Sequence, residues 1–111
     1  MKNVAFKPRG VMPALVTPFT ADEEVDEAGL RALVRHVLPH VDGVVPCGTT
    51  GEFVYLTPQE QRRIIEVVVG EVAGRVPVIA GTGAASTRQA VQLARAAQQA
   101  GADACLVVTP F

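Results

Sequence analysis

The residues best suited to chemistry in this chain are two adjacent hydroxyls framed by glycines, Gly48-Thr49-Thr50-Gly51-Glu52. They follow a short apolar stretch, Gly43-Val44-Val45-Pro46-Cys47, and precede a helix-start signal, Thr57-Pro58-Gln59-Glu60. A buried strand that ends in a glycine-framed loop before a helix is where parallel α/β proteins hold small anionic ligands. Backbone N–H groups are free at such a junction, and a helix dipole there favours negative charge. The two threonine hydroxyls add donors for a carboxylate. They are too weakly acidic to start a proton transfer, but they can pass a proton between stronger partners within hydrogen-bond reach. The supporting groups are sparse: no lysine follows Lys7, and Tyr55 is the only tyrosine.

Other groups read more simply as structural. Cys47 and Cys105 lie among apolar neighbours in expected strands, which fits buried free thiols. With only His36 and His40 beside them they make a poor zinc set, and the two histidines are expected to be solvated. Gly81-Thr82-Gly83 invites a nucleotide reading, but Ser86 stands where the dinucleotide fingerprint needs its third glycine. Glu52 is expected to shape the loop by bonding backbone N–H groups. The cluster Asp22-Glu23-Glu24-Asp26-Glu27 reads as a solvated turn leading into a helix.

The elements that must position these groups are legible from patterning. Four apolar runs, Val11–Thr17, Gly43–Cys47, Pro77–Gly81 and Ala104–Thr109, lack polar alternation. They read as parallel strands buried on both faces. Three helices are expected between them. The first spans about 27–38, with Asp26 as N-cap and Pro39 as stop. The second spans about 58–73, with Thr57 and Glu60 forming a capping box around Pro58. The third spans about 87–100, with Ser86 as cap, Gln89 closing a box and Gly101 as stop. The order is β-α-β-α-β-α-β with a period of about 30 residues, without linkers or a second domain.

Composition narrows the function classes. A chain of 111 residues with 49% hydrophobic content can build a core. A formal net charge of −1 gives no case for nucleic acid or an anionic membrane surface. No apolar run approaches the roughly 20 residues of a membrane span. Residues 1–10 lack the apolar core of a signal peptide, so the expected location is cytoplasmic.

The chain resembles the N-terminal part of the dihydrodipicolinate synthase / N-acetylneuraminate lyase family. The resemblance rests on Gly10-Val11-Met12-Pro13-Ala14-Leu15-Val16-Thr17-Pro18-Phe19, on Cys47 to Glu52, and on Leu56 to Glu60. It continues through Pro77-Val78-Ile79-Ala80-Gly81-Thr82-Gly83 and Ala102 to Pro110, in the family's order. The resemblance implies an α/β fold, the first four strands and three helices of a (β/α)8 TIM barrel. Residues 1–111 would be one part of that barrel domain, truncated after strand 4, because a closed barrel needs about 250 residues. It implies Schiff-base lyase chemistry on pyruvate or a related 2-keto acid, with no cofactor and no metal. Thr50 would bind the keto-acid carboxylate within the loop that includes Gly48 and Gly51. Thr49 would be the catalytic hydroxyl of a proton relay with two tyrosines. The imine-forming lysine lies on the family's sixth strand and neither relay tyrosine matches Tyr55, so the chain alone is expected to be inactive. Lys2 and Lys7 precede the first strand and are expected to be solvated. Full-length members are commonly homotetramers, which implies a homo-oligomer.

Phe53 after Glu52 is more typical of members acting on sugar acids or other aldehydes. Some members bind lysine as a feedback inhibitor near this helix. Phe53, Val54, Pro58, Ala85 and Gln89 at the matching positions make an unlikely amino-acid site. Two readings without catalysis stay open: a half-barrel that self-associates through its strand edges, and an open α/β module for small carboxylates or phosphates.

Overall fold

The computed structural model describes residues 6–110. The three helices form where their local signals place them: α1 over Glu27–Val37, α2 over Pro58–Val72 and α3 over Thr87–Ala100. Asp26 accepts from the Gly29 N–H at 3.0 Å and opens α1, and a short 3₁₀ turn over Leu38–His40, with Pro39 inside it, follows its end at Val37. The capping box at α2 is complete. Glu60 N–H donates to the Thr57 hydroxyl at 3.1 Å, and Thr57 N–H donates to the Glu60 carboxylate at 2.8 Å. At α3 the Ser86 hydroxyl accepts from the Gln89 N–H, but the Gln89 side chain makes no reciprocal bond among the described residues. Gly101 ends α3 with φ 101, a conformation that costs glycine little. The corresponding turn after α2 places Ala73 at φ 51, ahead of Gly74 at φ 77.

The four apolar runs lie side by side in sequence order and run parallel, but only two contain regular strands. These are β1, Ile79–Gly81, and β2, Ala104–Leu106, paired with Ile79 opposite Ala104 and Gly81 opposite Leu106. The first two runs join the sheet through single parallel bridges, Ala14 with Val45 and Val44 with Val78. Proline explains the interruption, since it cannot donate to a ladder. Pro13, Pro77 and Pro46 each supply only a carbonyl, accepting from Val45, Val44 and Gly81 at 3.0, 3.1 and 2.8 Å.

Burial departs from the expected two-sided pattern. Leu15, Thr17, Val44, Val78 and Ala80 are buried. All but Thr17 pack in one cluster with Leu30 and Val34 of α1, and with Ile64, Ile65, Val68 and Val72 of α2. Along the first run Ala14 and Val16 alternate with these as exposed residues, and Leu106, Val107 and Val108 are exposed along the fourth. The helices therefore cover one face of the sheet. Two bidentate ion pairs tie the helix layer together on its outer surface: Arg63 with Glu27, both bonds at 2.8 Å, and Arg35 with Glu71 at 3.0 and 3.2 Å. The acidic turn before α1 is exposed over Asp22 to Glu24, as expected, and it closes a small hairpin through the antiparallel bridge of Phe19 with Val25.

Candidate active site

The loop from Gly48 to Glu52 lies at the carboxyl end of the second run, beside the carboxyl ends of the first run and of β1. Its entry and exit are both left-handed: Cys47 has φ 60 and Glu52 has φ 61. Non-glycine residues adopt this region at a cost of order 1–3 kcal/mol, held there by their surroundings. Within the loop, Glu52 N–H donates to the Thr49 carbonyl at 3.0 Å and Phe53 N–H to the Gly48 carbonyl at 3.4 Å.

The free donors are the chemically informative part. The N–H groups of Gly48, Thr49, Thr50 and Gly51 donate to no acceptor among the described residues. Neither threonine hydroxyl makes a hydrogen bond among them either, so the loop threonines do not serve as backbone-bonding turn residues. Thr49 and Thr50 are exposed, whereas Gly48 and Gly51 are buried. Buried backbone donors are almost always paired, with protein, water or ligand. Four consecutive amides and two hydroxyls unengaged among the described residues are donors of the kind that can hold an anion. Next to the loop is a cavity of about 30 Å³, lined by Thr49, Gly81, Leu106 and Val108 among others. That volume suits a water rather than a substrate, so a larger ligand would meet the loop from its exposed side.

Two neighbours fix where the loop sits. On one side the buried Thr17 hydroxyl donates to the Gly51 carbonyl at 2.7 Å, across 34 positions of sequence. On the other, Gly81 lets β1 press against the loop's entry. A Cβ on Gly81 would lie 2.0 Å from the Cys47 carbonyl oxygen and 2.9 Å from the Gly48 nitrogen. Gly83 similarly packs on Val108, whose Cγ1 would sit 2.3 Å from an added Cβ. Gly81 and Gly83 thus serve close packing of the sheet's end. Cys47 is fully buried, and that burial pushes its thiol up to about 12. Cys105 is only partly buried, a departure from the expected pair of buried thiols.

Some expectations change in detail. The loop does not run directly into α2: a 3₁₀ turn over Phe53–Tyr55 intervenes, and the α2 amino terminus is occupied by its own capping box. Among the described residues the unbroken run of unengaged amides lies in the loop, ahead of the capped α2 amino terminus. Glu52 shapes the loop through its left-handed backbone, while its carboxylate is exposed and bonds no N–H among the described residues. Tyr55 is exposed and lies outside the loop, and Lys7 is exposed, whereas Lys2 lies outside the described residues. His36 and His40 are exposed on and after α1.

Thr17, whose hydroxyl the structure brings to the loop, was not singled out by motif reading. The available signal was a lone hydroxyl closing an otherwise apolar run at a strand's carboxyl end. Gln61 was also missed. Phe53, Val54, Pro58, Ala85 and Gln89 line one pocket of about 180 Å³. Gln61 lines it too, with its Nε2 donating to the Phe53 carbonyl at 3.2 Å and its buried Oε1 unpartnered among the described residues.

The model of the dihydrodipicolinate synthetase family matches residues 7–111, nearly the whole chain. The chain belongs to this family. Among curated family members, it is 50% identical over 106 residues to the 4-hydroxy-tetrahydrodipicolinate synthase of Methanothermobacter thermautotrophicus. That match covers 95% of this chain and 38% of the relative, so the chain spans little more than a third of its relative's length. Among solved family structures, dihydrodipicolinate synthase from Aquifex aeolicus superposes with a TM-score of 0.87 at 46% identity, over 92% of this chain and 35% of that one. YagE, a prophage protein of E. coli K12 solved in complex with pyruvate, gives a TM-score of 0.88 at 39% identity, over the same 92% and 35%. In this member of the family Phe53 is buried, beneath the loop and between two cavities.

Proposed function

We propose that this chain supplies the carboxylate-binding part of a Schiff-base lyase acting on pyruvate or a related 2-keto acid. The observation that carries the reading is the run of four amides, Gly48 to Gly51, and the hydroxyls of Thr49 and Thr50, all unengaged among the described residues. Backbone donors fix a carboxylate without adding a titrating charge. Thr50 is the residue assigned to the carboxylate, within the frame of Gly48 and Gly51. Thr49 is assigned to the proton relay, where a hydroxyl passes a proton between tyrosines supplied from elsewhere in the barrel. The four parallel runs and three helices are read as the first four strands and three helices of a (β/α)8 barrel, with all of residues 1–111 in that one domain. The imine-forming lysine belongs to a later strand of that barrel. The 111-residue chain by itself therefore binds the keto acid without turning it over, and the full-length protein works as a homo-oligomer. The pyruvate complex of YagE and the synthase relative support the keto-acid reading.

Titration of the isotope-labelled chain with pyruvate, followed by amide chemical shifts, tests this. The expected result is a saturable shift confined to Gly48–Glu52. Shifts at Gly81–Ser86 with inorganic phosphate, and none with pyruvate, would instead favour an open phosphate-binding module.

The second reading, self-association through the sheet edges, is favoured by exposed apolar residues at both ends of the sheet. Val11 and Val16 are 62% and 52% exposed on the first run, and Leu106 and Val107 are 53% and 58% exposed on the fourth. Unpaired edges of this kind recruit further strands. Sedimentation that finds only a folded monomer would remove this reading.

A further inference from the structure

We propose that Thr17 is a positioning residue for the carboxylate-binding loop, an inference that rests on the keto-acid reading of that loop. The peptide between Gly51 and Glu52 is held at both ends of its plane. Its carbonyl accepts from the buried Thr17 hydroxyl at 2.7 Å. Its N–H donates to the Thr49 carbonyl at 3.0 Å. Because a peptide is planar, these two bonds together fix its rotation about the chain. That matters because the unit is otherwise easily turned. Gly51 has no side chain to restrict it, and Glu52 sits at φ 61 and ψ 37, a conformation an ordinary residue leaves readily. Rotation of this peptide would bring a carbonyl oxygen toward the donor set and place partial negative charge where the loop offers N–H groups to an anion.

Thr17 is suited to prevent that. It comes from the first run, 34 positions away, so its hydroxyl reports the position of a different element. It is 5% exposed, so water does not compete for the bond. The first run also passes close by: the Leu15 carbonyl oxygen lies 3.1 Å from where a Cβ on Gly51 would sit, which leaves little room for a side chain at position 51. Thr17 touches no ligand in this arrangement. It acts through Gly51 by setting the fraction of molecules whose loop is ready for a carboxylate, and apparent affinity scales with that fraction.

The test compares the labelled wild-type chain with Thr17→Val and Thr17→Ser by pyruvate titration and by hydrogen exchange at the Glu52 amide. Valine keeps the shape and removes the donor, whereas serine keeps the donor. Loss of one neutral hydrogen bond predicts about fivefold weaker pyruvate binding and about fivefold faster Glu52 exchange in Thr17→Val, both restored in Thr17→Ser. A purely structural role would lower the melting temperature of both variants and leave the affinity of the folded fraction unchanged. Wild-type affinity and exchange in a folded Thr17→Val overturn the proposal. If the wild-type chain itself ignores pyruvate, the keto-acid reading fails. Glu52 exchange then decides the role of Thr17 alone, with unchanged exchange in Thr17→Val counting against it. If Thr17→Val does not fold, Thr17→Ser decides: affinity or exchange altered beyond twofold despite the retained hydroxyl counts against the proposal.

Discussion

Replacing Gly81 by alanine should unseat the Gly48–Glu52 loop and destabilise the fold, whereas the same substitution at Gly70 should stabilise it. The new Cβ at position 81 would lie 2.0 Å from the Cys47 carbonyl oxygen, 2.5 Å from its carbon and 2.9 Å from the Gly48 nitrogen. All three are backbone atoms, so no side chain can swing aside. Relief requires β1 and the second run to separate by more than an ångström. That movement strains the 2.8 Å bond from Gly81 N–H to the Pro46 carbonyl. Overpacking of this kind costs about 1–3 kcal/mol and a compromised hydrogen bond about 1 more, giving about 2–4 kcal/mol in total. In a chain of this size that corresponds to a melting temperature lower by about 10–20 °C. Gly70 lies within α2 and is exposed, and an added Cβ there meets nothing within 4 Å. Helix propensity alone then applies, predicting stabilisation of about 1 kcal/mol for Gly70→Ala. Urea unfolding of both variants, with amide shifts recorded for Gly48 to Gly51, measures the pair. The reasoning is refuted if Gly81→Ala unfolds within 0.5 kcal/mol of wild type with its loop amides unmoved, on the order of an ordinary surface substitution.

The two thiols should separate by reactivity at about pH 8, where a thiol must be both accessible and able to ionise to react. Cys47, buried and pushed up to about 12, should label only after denaturation, while partly exposed Cys105 labels in the native state. Equal labelling rates would mean the second run opens far more readily than its packing implies. Thr57→Ala removes the hydroxyl half of the α2 capping box and should cost about 1 kcal/mol in urea unfolding. An unchanged midpoint would show that Glu60 alone sustains the helix start. Glu27 and Glu71 are held below their ordinary 4.5 by their hydrogen bonds to Arg63 and Arg35. A carboxylate whose value is lowered on folding adds stability above its unfolded value and loses it as pH falls through the folded one. Melting temperature should therefore drop as pH falls below 4.5, less steeply in Glu71→Gln than in wild type. Parallel slopes would remove the Arg35 pair from the account.

Helix positions were legible because their signals are local. Asp26, Thr57 and Ser86 bond N–H groups three residues away, so a reader of the sequence needs only the neighbours to place each start. The order of the four apolar runs and the loop that carries Thr49 and Thr50 were legible for the same reason. Regular strand extent was not, because each of the first three runs contains a proline whose effect on the ladder depends on which partner faces it. The sequence alone therefore determined the alternating order of elements, the capped helices and the chemical types gathered after the second run. Only the tertiary structure decided what those types can do. It set Cys47 and Glu52 left-handed, brought the Thr17 hydroxyl to Gly51 and left four loop amides without acceptors among the described residues. It also made glycine at position 81 a requirement of Cys47's carbonyl rather than of a turn. The physical reason is one of range. Caps and periodicity are satisfied within a few residues, whereas close backbone approach and long-range hydrogen bonds exist only once packed elements bring distant residues together.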